Sequence, residues 1–197
     1  MLTSITLRRV SLSVFSLFCA SAWAHVDASA PHEHITFFTG VLHPLTGLDH
    51  LTAMVAVGIW SALALRQVWI APTVFVCAMG IGMVLGVAGF DHAAIEPMIA
   101  LSVLVMGLLV AARHTLSANA ALGLIATFGL CHGAAHGIVL QDTDSLVPAF
   151  GMLLSTILLH MLGVVLGRRS FEPRLWLQRL SGAAFAALGL VLLAHLS

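Results

Sequence analysis

Six apolar stretches, at roughly 35–64, 68–90, 96–113, 116–140, 147–167 and 174–196, take up nearly all of the chain beyond residue 34. A helix needs about 20 apolar residues to cross the hydrocarbon core of a bilayer, and these runs have that order of length. The turns between them are too short to supply a polar surface. Only 8% of the 197 residues are charged, where a soluble domain carries about a quarter. With 60% hydrophobic residues and a mean hydropathy of +1.06, lipid is the natural solvent for such a chain. The expected fold is all-α: a polytopic membrane helix bundle with six transmembrane helices in residues 35–197. The first run holds Pro44 and Gly47, so it is expected to be kinked, or broken into a short entry piece and a main helix. Glycines recur at three- to four-residue spacing in the second and fourth runs (Gly80, Gly82, Gly86, Gly89; Gly123, Gly129, Gly133, Gly137). Most of them are expected to form packing seams, because small residues let helix backbones approach closely in lipid.

Residues 1–24 have the order of a cleavable signal peptide. Arg8 and Arg9 are its positive start, Val10–Ala20 its short apolar core, and Ala22-Trp23-Ala24 an A-x-A cleavage site. The mature chain is then expected to begin at His25, outside the cytoplasm, with residues 25–34 as a periplasmic segment containing His25, His32 and His34. Six crossings from that start put residues near 65–67, 112–116 and 167–179 inside. These hold Arg66, Arg113, Arg168, Arg169, Arg174 and Arg179, every cation of the mature chain. The outer segments hold Asp27, Glu33, Asp91, Glu96, Asp142 and Asp144, and no arginine. Signal and arginine bias agree on a bacterial inner-membrane protein with both mature ends periplasmic.

Zero formal charge with neutral histidines excludes a global basic field, and with it a nucleic-acid partner. Cys19, Cys77 and Cys131 lack CxxC spacing, which argues against a disulfide framework and a thiolate zinc site. Eleven histidines are the unusual count. An imidazole in hydrocarbon is costly unless it is paired, so several in membrane segments need a reason.

Two motifs concentrate them. In the first run, His43 and His50 are seven residues apart, which on a continuous helix is two turns and one face; Asp49 adjoins His50. Pro44 removes a backbone donor and Gly47 admits bending, which would free carbonyls as further ligands. In the fourth run, His132 and His136 stand at i and i+4, a separation that suits two imidazoles on one metal. Gly133 and Gly137 beside them would let another helix come close enough to share the ion. By the expected topology, His43, Asp49, His50, His132 and His136 share the outer half of the membrane, with His92 and Glu96 on the loop entering the third run. Imidazole and carboxylate together suit Ni²⁺, Co²⁺, Zn²⁺ or Cu²⁺ and disfavour Cu⁺ and Mg²⁺. His25, His32 and His34, with Asp27 and Glu33, read equally as metal capture or as a solvated tail. His160 and His195 stand alone and read as histidines that hydrogen-bond between helices.

The stretch His43-Pro44-Leu45-Thr46-Gly47-Leu48-Asp49-His50 resembles the HPxxGxDH signature of the HupE/UreJ family of nickel and cobalt permeases, with all five fixed positions matched. That family's second signature, FHGxAxGxE, is matched by His132, Gly133, Ala135 and Gly137. Cys131 replaces its aromatic, Val139 its glutamate, and His136 falls on a free position. Glu96 resembles an acidic position of the family at the start of the third run. The resemblance also covers the cleaved signal and six spans. It implies entry of Ni²⁺ (or Co²⁺) into the cytoplasm, to supply metalloenzymes such as hydrogenase or urease, with the ion as cargo and no organic cofactor. No Gly-Lys nucleotide motif is present, so movement would be facilitated or coupled to an ion gradient. Neutral imidazole is the binding form, so uptake should fall as pH drops through roughly 6.5.

Other classes stay in view. Paired membrane histidines also suit a b-type haem electron carrier, although Asp49 has no role there. A metal sensor or accessory protein would bind without transporting. An enzyme is disfavoured: HExxH is absent, and no Ser or Cys has an evident activating partner. Oligomeric state, a homo-oligomer included, is left open.

Overall fold

The computed structural model describes residues 36–141 and 146–196. The expected signal peptide, the segment with His25, His32 and His34, and Asp142 and Asp144 lie outside the described residues. Within them the chain is helical: α1 (Phe37–Thr46), α2 (Leu48–Ala64), α3 (Ile70–Val87), α4 (Ile95–Ala112), α5 (Ala118–Val139), α6 (Val147–Leu166), a π-helical turn (Gly167–Phe171) and α7 (Leu175–His195).

The first apolar run is broken, as its composition led one to expect. Thr36 and Thr39 open α1 with a reciprocal capping box, each hydroxyl accepting from the other's backbone N–H. Pro44 does not make the break; it is buried inside α1. The helix ends instead at Gly47, whose backbone is extended (φ −85°, ψ 114°), and α2 leaves at a bend of 82°. Among the described residues five other helices are long and apolar enough to cross a membrane, and the bent pair makes a sixth when counted as one span.

Backbone-range contacts give the helix directions. On α3 and α5, Gly129 meets Phe75, Gly133 meets Met79 and Gly82, and Gly137 meets Met83 and Gly86. Positions rise together on both, so these helices are parallel. So are α2 and α6, where Gly58 meets His160 and, one turn on, Gly167 meets Ala62. On α4 and α7 the order reverses: Gly107 meets Gly182 and Ala186, while Gly189 meets Leu104. Six alternating crossings, with α1–α2 as the first, require this set of directions. Apolar burial cannot drive association in lipid, and these close approaches supply van der Waals contact instead. Gly80 and Gly123 are exceptions to the expected seams, since a Cβ there would meet nothing within 4 Å among the described residues; Gly89 serves a turn at φ +92°.

Large side chains including Trp60, Phe75, Met79, Met106 and Phe128 fill the interior. Polar ties hold its edges. Trp60 Nε1 donates to the His114 carbonyl at 2.9 Å, and Gln178 Nε2 to the Val110 carbonyl at 2.8 Å. With alternating crossings, Arg66, Arg113, Arg168, Arg169 and Arg174 gather at one end. The break at Gly47 and the C-terminal third of α5 lie at the other.

Candidate metal centre

The break at Gly47 determines the first half of the site. His43 lies in the last turn of α1, and Asp49 and His50 open α2. A carboxylate in a first turn faces the positive end of the helix dipole. Its Oδ1 accepts from the His50 backbone N–H at 2.7 Å and from His50 Nδ1 at 2.8 Å. A side chain on residue 47 would intrude here: a Cβ would stand 2.8 Å from Asp49 Oδ1 and 3.3 Å from His50 Nδ1. Glycine therefore serves the carboxylate–imidazole pair as well as the bend. The expectation that His43 and His50 share one helix face is corrected, because they belong to two helices. The bend, not helical periodicity, brings their ring centroids to 6.5 Å. Nor does the carbonyl of His43 stand free, since the Thr46 hydroxyl donates to it at 2.9 Å.

The second half comes from α5, where the i, i+4 spacing does put His132 and His136 on one inward face, both 0% exposed. The glycines between and after them bring α3 against the same helix. The ring of His50 reaches both, with centroids 5.0 Å from His132 and 4.7 Å from His136; His43 lies 5.1 Å from His136. Four imidazoles from α1, α2 and α5 thus form one cluster, with His132 and His136 buried and His43 and His50 partly exposed.

The hydrogen bonds specify which nitrogen each ring presents. A carboxylate and a backbone carbonyl only accept, so His50 Nδ1, on Asp49, and His132 Nδ1, 2.9 Å from the Phe128 carbonyl, carry the protons. In the neutral rings Nε2 then holds the lone pair, the arrangement of a metal-ligating histidine held by an outer acceptor. His50 Nε2, His132 Nε2 and both nitrogens of His136 are buried, with no hydrogen-bond partner among the described residues. Each such group costs about 1–3 kcal/mol. The rings touch one another rather than converge on one point. Among the described residues, no three His, Cys, Asp or Glu side chains already surround a metal position. Ring rotations would be needed to bring the lone pairs together.

Other expected residues lie apart. Glu96, in the first turn of α4, is exposed, and no hydrogen bond or ion pair joins it to the cluster among the described residues. His92 is exposed on the preceding loop and accepts from the Ala94 N–H. Val139, at the expected place of a glutamate, closes α5 and is 42% exposed. His160 and His195 bond within their own helices, to the Thr156 and Val191 carbonyls, not between helices as their isolation suggested. Phe75 is a site neighbour that its sequence position did not reveal: its ring centroid is 5.2 Å from His132 and 5.0 Å from His160. Nothing in an apolar run distinguishes an aromatic that packs on histidines from one that packs on leucines.

A family model described as HupE / UreJ protein matches residues 13–192. The chain is 36% identical over 194 residues to a curated relative named Protein HupE, from Rhizobium leguminosarum bv. viciae, with 97% of each chain covered. No solved structure matches the chain.

Proposed function

The chain belongs to the HupE/UreJ family, which is associated with nickel and cobalt uptake, and on that premise we propose that it is a membrane permease for a divalent transition-metal ion. The cargo we assign is Ni²⁺, with Co²⁺ next, moving into the cytoplasm. One observation carries this reading: nitrogens of three histidines, buried and without a hydrogen-bond partner among the described residues, face one cluster. A cation is the partner that would serve them all. Imidazole donors suit late first-row divalent metals, and hydrogen bonds from Nδ1 to Asp49 and Phe128 leave Nε2 as donor.

In this proposal His43, His50, His132 and His136 are the primary ligands. Asp49 orients His50 and adds negative charge beside the ion. Glu96 and the histidines at 25, 32 and 34 collect cations at the entrance. The arginine-rich end faces the cytoplasm by the positive-inside rule, so the cluster faces the periplasm. The bend at Gly47 is the element able to move: swinging α1 carries His43 away from the other three rings, while Gly133 and Gly137 keep α5 seated on α3. The direct ring contacts disfavour a haem, whose macrocycle would have to separate His50 from His132.

Uptake of Ni²⁺, Co²⁺ and Zn²⁺ into proteoliposomes holding the purified protein tests the reading. Expected is metal-dependent filling with Ni²⁺ ahead of Zn²⁺; binding without flux would make the protein a sensor or accessory chain instead. In the same assay Asp49→Asn, which keeps an oxygen for His50 Nδ1 but removes the charge, should weaken Ni²⁺ affinity by about 10- to 100-fold. Unchanged affinity in that variant would remove Asp49 from the site.

A further inference from the structure

His160 is left unused by the steps above. It stands thirteen residues after Val147, the start of α6 at the cluster's end of the bundle. At 1.5 Å per residue that is about 20 Å along the helix. Measured likewise from the end of α5, His136 is about 5 Å deep and His132 about 10 Å. Three imidazoles therefore descend through the interior at increasing depth.

The local chemistry of His160 repeats that of His132. Its side chain is 1% exposed. Nδ1 donates to the Thr156 carbonyl at 2.7 Å, which leaves the lone pair on Nε2 of the neutral ring. That Nε2 is buried with no hydrogen-bond partner among the described residues. The Phe75 ring touches both imidazoles, with centroids 5.0 Å from His160 and 5.2 Å from His132. The Thr156 hydroxyl, bonded to the Met152 carbonyl at 2.9 Å, also reaches Met79 Sδ at 3.5 Å.

Packing alone does not account for an imidazole at this position. A leucine would fill similar volume without the cost of a bare nitrogen in hydrocarbon. Nor does His160 join helices by side-chain hydrogen bonding among the described residues, since the bond of its Nδ1 stays within α6. The α2 backbone at Gly58 presses directly on the His160 carbonyl, while the His160 ring lies against Phe75 of α3.

Resting on the permease reading, we propose that His160 is a second, deeper binding position for the transported divalent ion, which reaches it from His132 past the Phe75 ring. Its Nε2 is a donor of the type that Ni²⁺, Co²⁺ and Zn²⁺ accept. A single imidazole holds such an ion more weakly than four. Conduction requires positions that bind well enough to admit an ion and weakly enough to release it. Phe75 separates the two positions, and turning its ring would open the way between them.

The test compares two replacements of nearly equal volume, His160→Leu, which removes the donor, and His160→Met, which retains one. Ni²⁺ uptake into proteoliposomes and equilibrium Ni²⁺ binding in detergent are measured for both. His160→Leu should slow uptake by about tenfold or more, while His160→Met keeps at least about a third of it. Binding, set by the four-imidazole cluster, should stay within about twofold in each. Wild-type uptake by His160→Leu overturns the proposal, and so does an equal loss in the two variants, which would make the ring a packing element. A wild-type protein that moves no Ni²⁺ would instead sink the permease reading itself, and the relay with it.

Discussion

His50→Ala combined with His132→Ala should abolish Ni²⁺ uptake, by about 100-fold or more, in a protein that still folds. Each tenfold in affinity is about 1.4 kcal/mol, and two of four imidazole donors at that worth or more give the expected loss. The fold should survive because the changes oppose one another. Removing an imidazole leaves a cavity, which costs stability. It also removes a buried nitrogen without a partner among the described residues, which relieves about 1–3 kcal/mol at each site. Thermal melting in detergent separates the two effects. Wild-type protein at about 100 times its dissociation constant in Ni²⁺ should gain roughly 2.7 kcal/mol of stability, and the double variant no more than about 0.4 kcal/mol. Uptake at wild-type rate in the double variant would end the case for this cluster as the site.

Gly133→Leu should have the largest effect on stability of any single change. A Cβ alone at this position would overlap the Met79 carbonyl oxygen, with Gly82 directly beside it. The obstacle is backbone, so α3 and α5 must separate. In lipid no apolar burial compensates for the lost contact. Overpacking typically costs about 1–3 kcal/mol, and a clash with main chain belongs at or beyond the top of that range. Uptake should fall with stability, because α5 carries His132 and His136, and α3 carries Phe75. Gly123→Ala provides the contrast within the same helix. Nothing among the described residues lies within 4 Å of a Cβ there, so that change should be neutral or stabilise by about 0.5–1 kcal/mol. Equal melting temperatures for Gly133→Leu and wild type would show that this seam does not hold the bundle.

Much of the candidate site was legible in the sequence. His132 and His136 needed only the helical period to be placed on one face, and the cost of imidazole in hydrocarbon marked them as paired groups. His43, Asp49 and His50 were legible as candidate donors by type, but the geometry that joins them was not. Two turns of a continuous helix suggested a shared face, whereas an extended Gly47 and a bend of 82° put His43 on a separate helix. Pro44 was the more obvious breaker and sits inside α1, because a proline in a helix removes one donor without requiring the chain to turn. Glu96 illustrates the reverse: its depth was reasonable, yet depth does not say which way a side chain faces, and Glu96 faces outward.

Class, number of apolar runs, charge asymmetry between the two ends and donor types all followed from the sequence by itself. These depend on composition and on periods of a few residues, which any helix in lipid must respect. Only the tertiary structure decided that four imidazoles from three helices meet, that Asp49 binds His50, and that Phe75 links His132 to His160. Such meetings depend on which backbones touch. In lipid that is set by pairs of small residues such as Gly133 and Gly82, far apart in the chain, and by one bend whose angle no local pattern encodes.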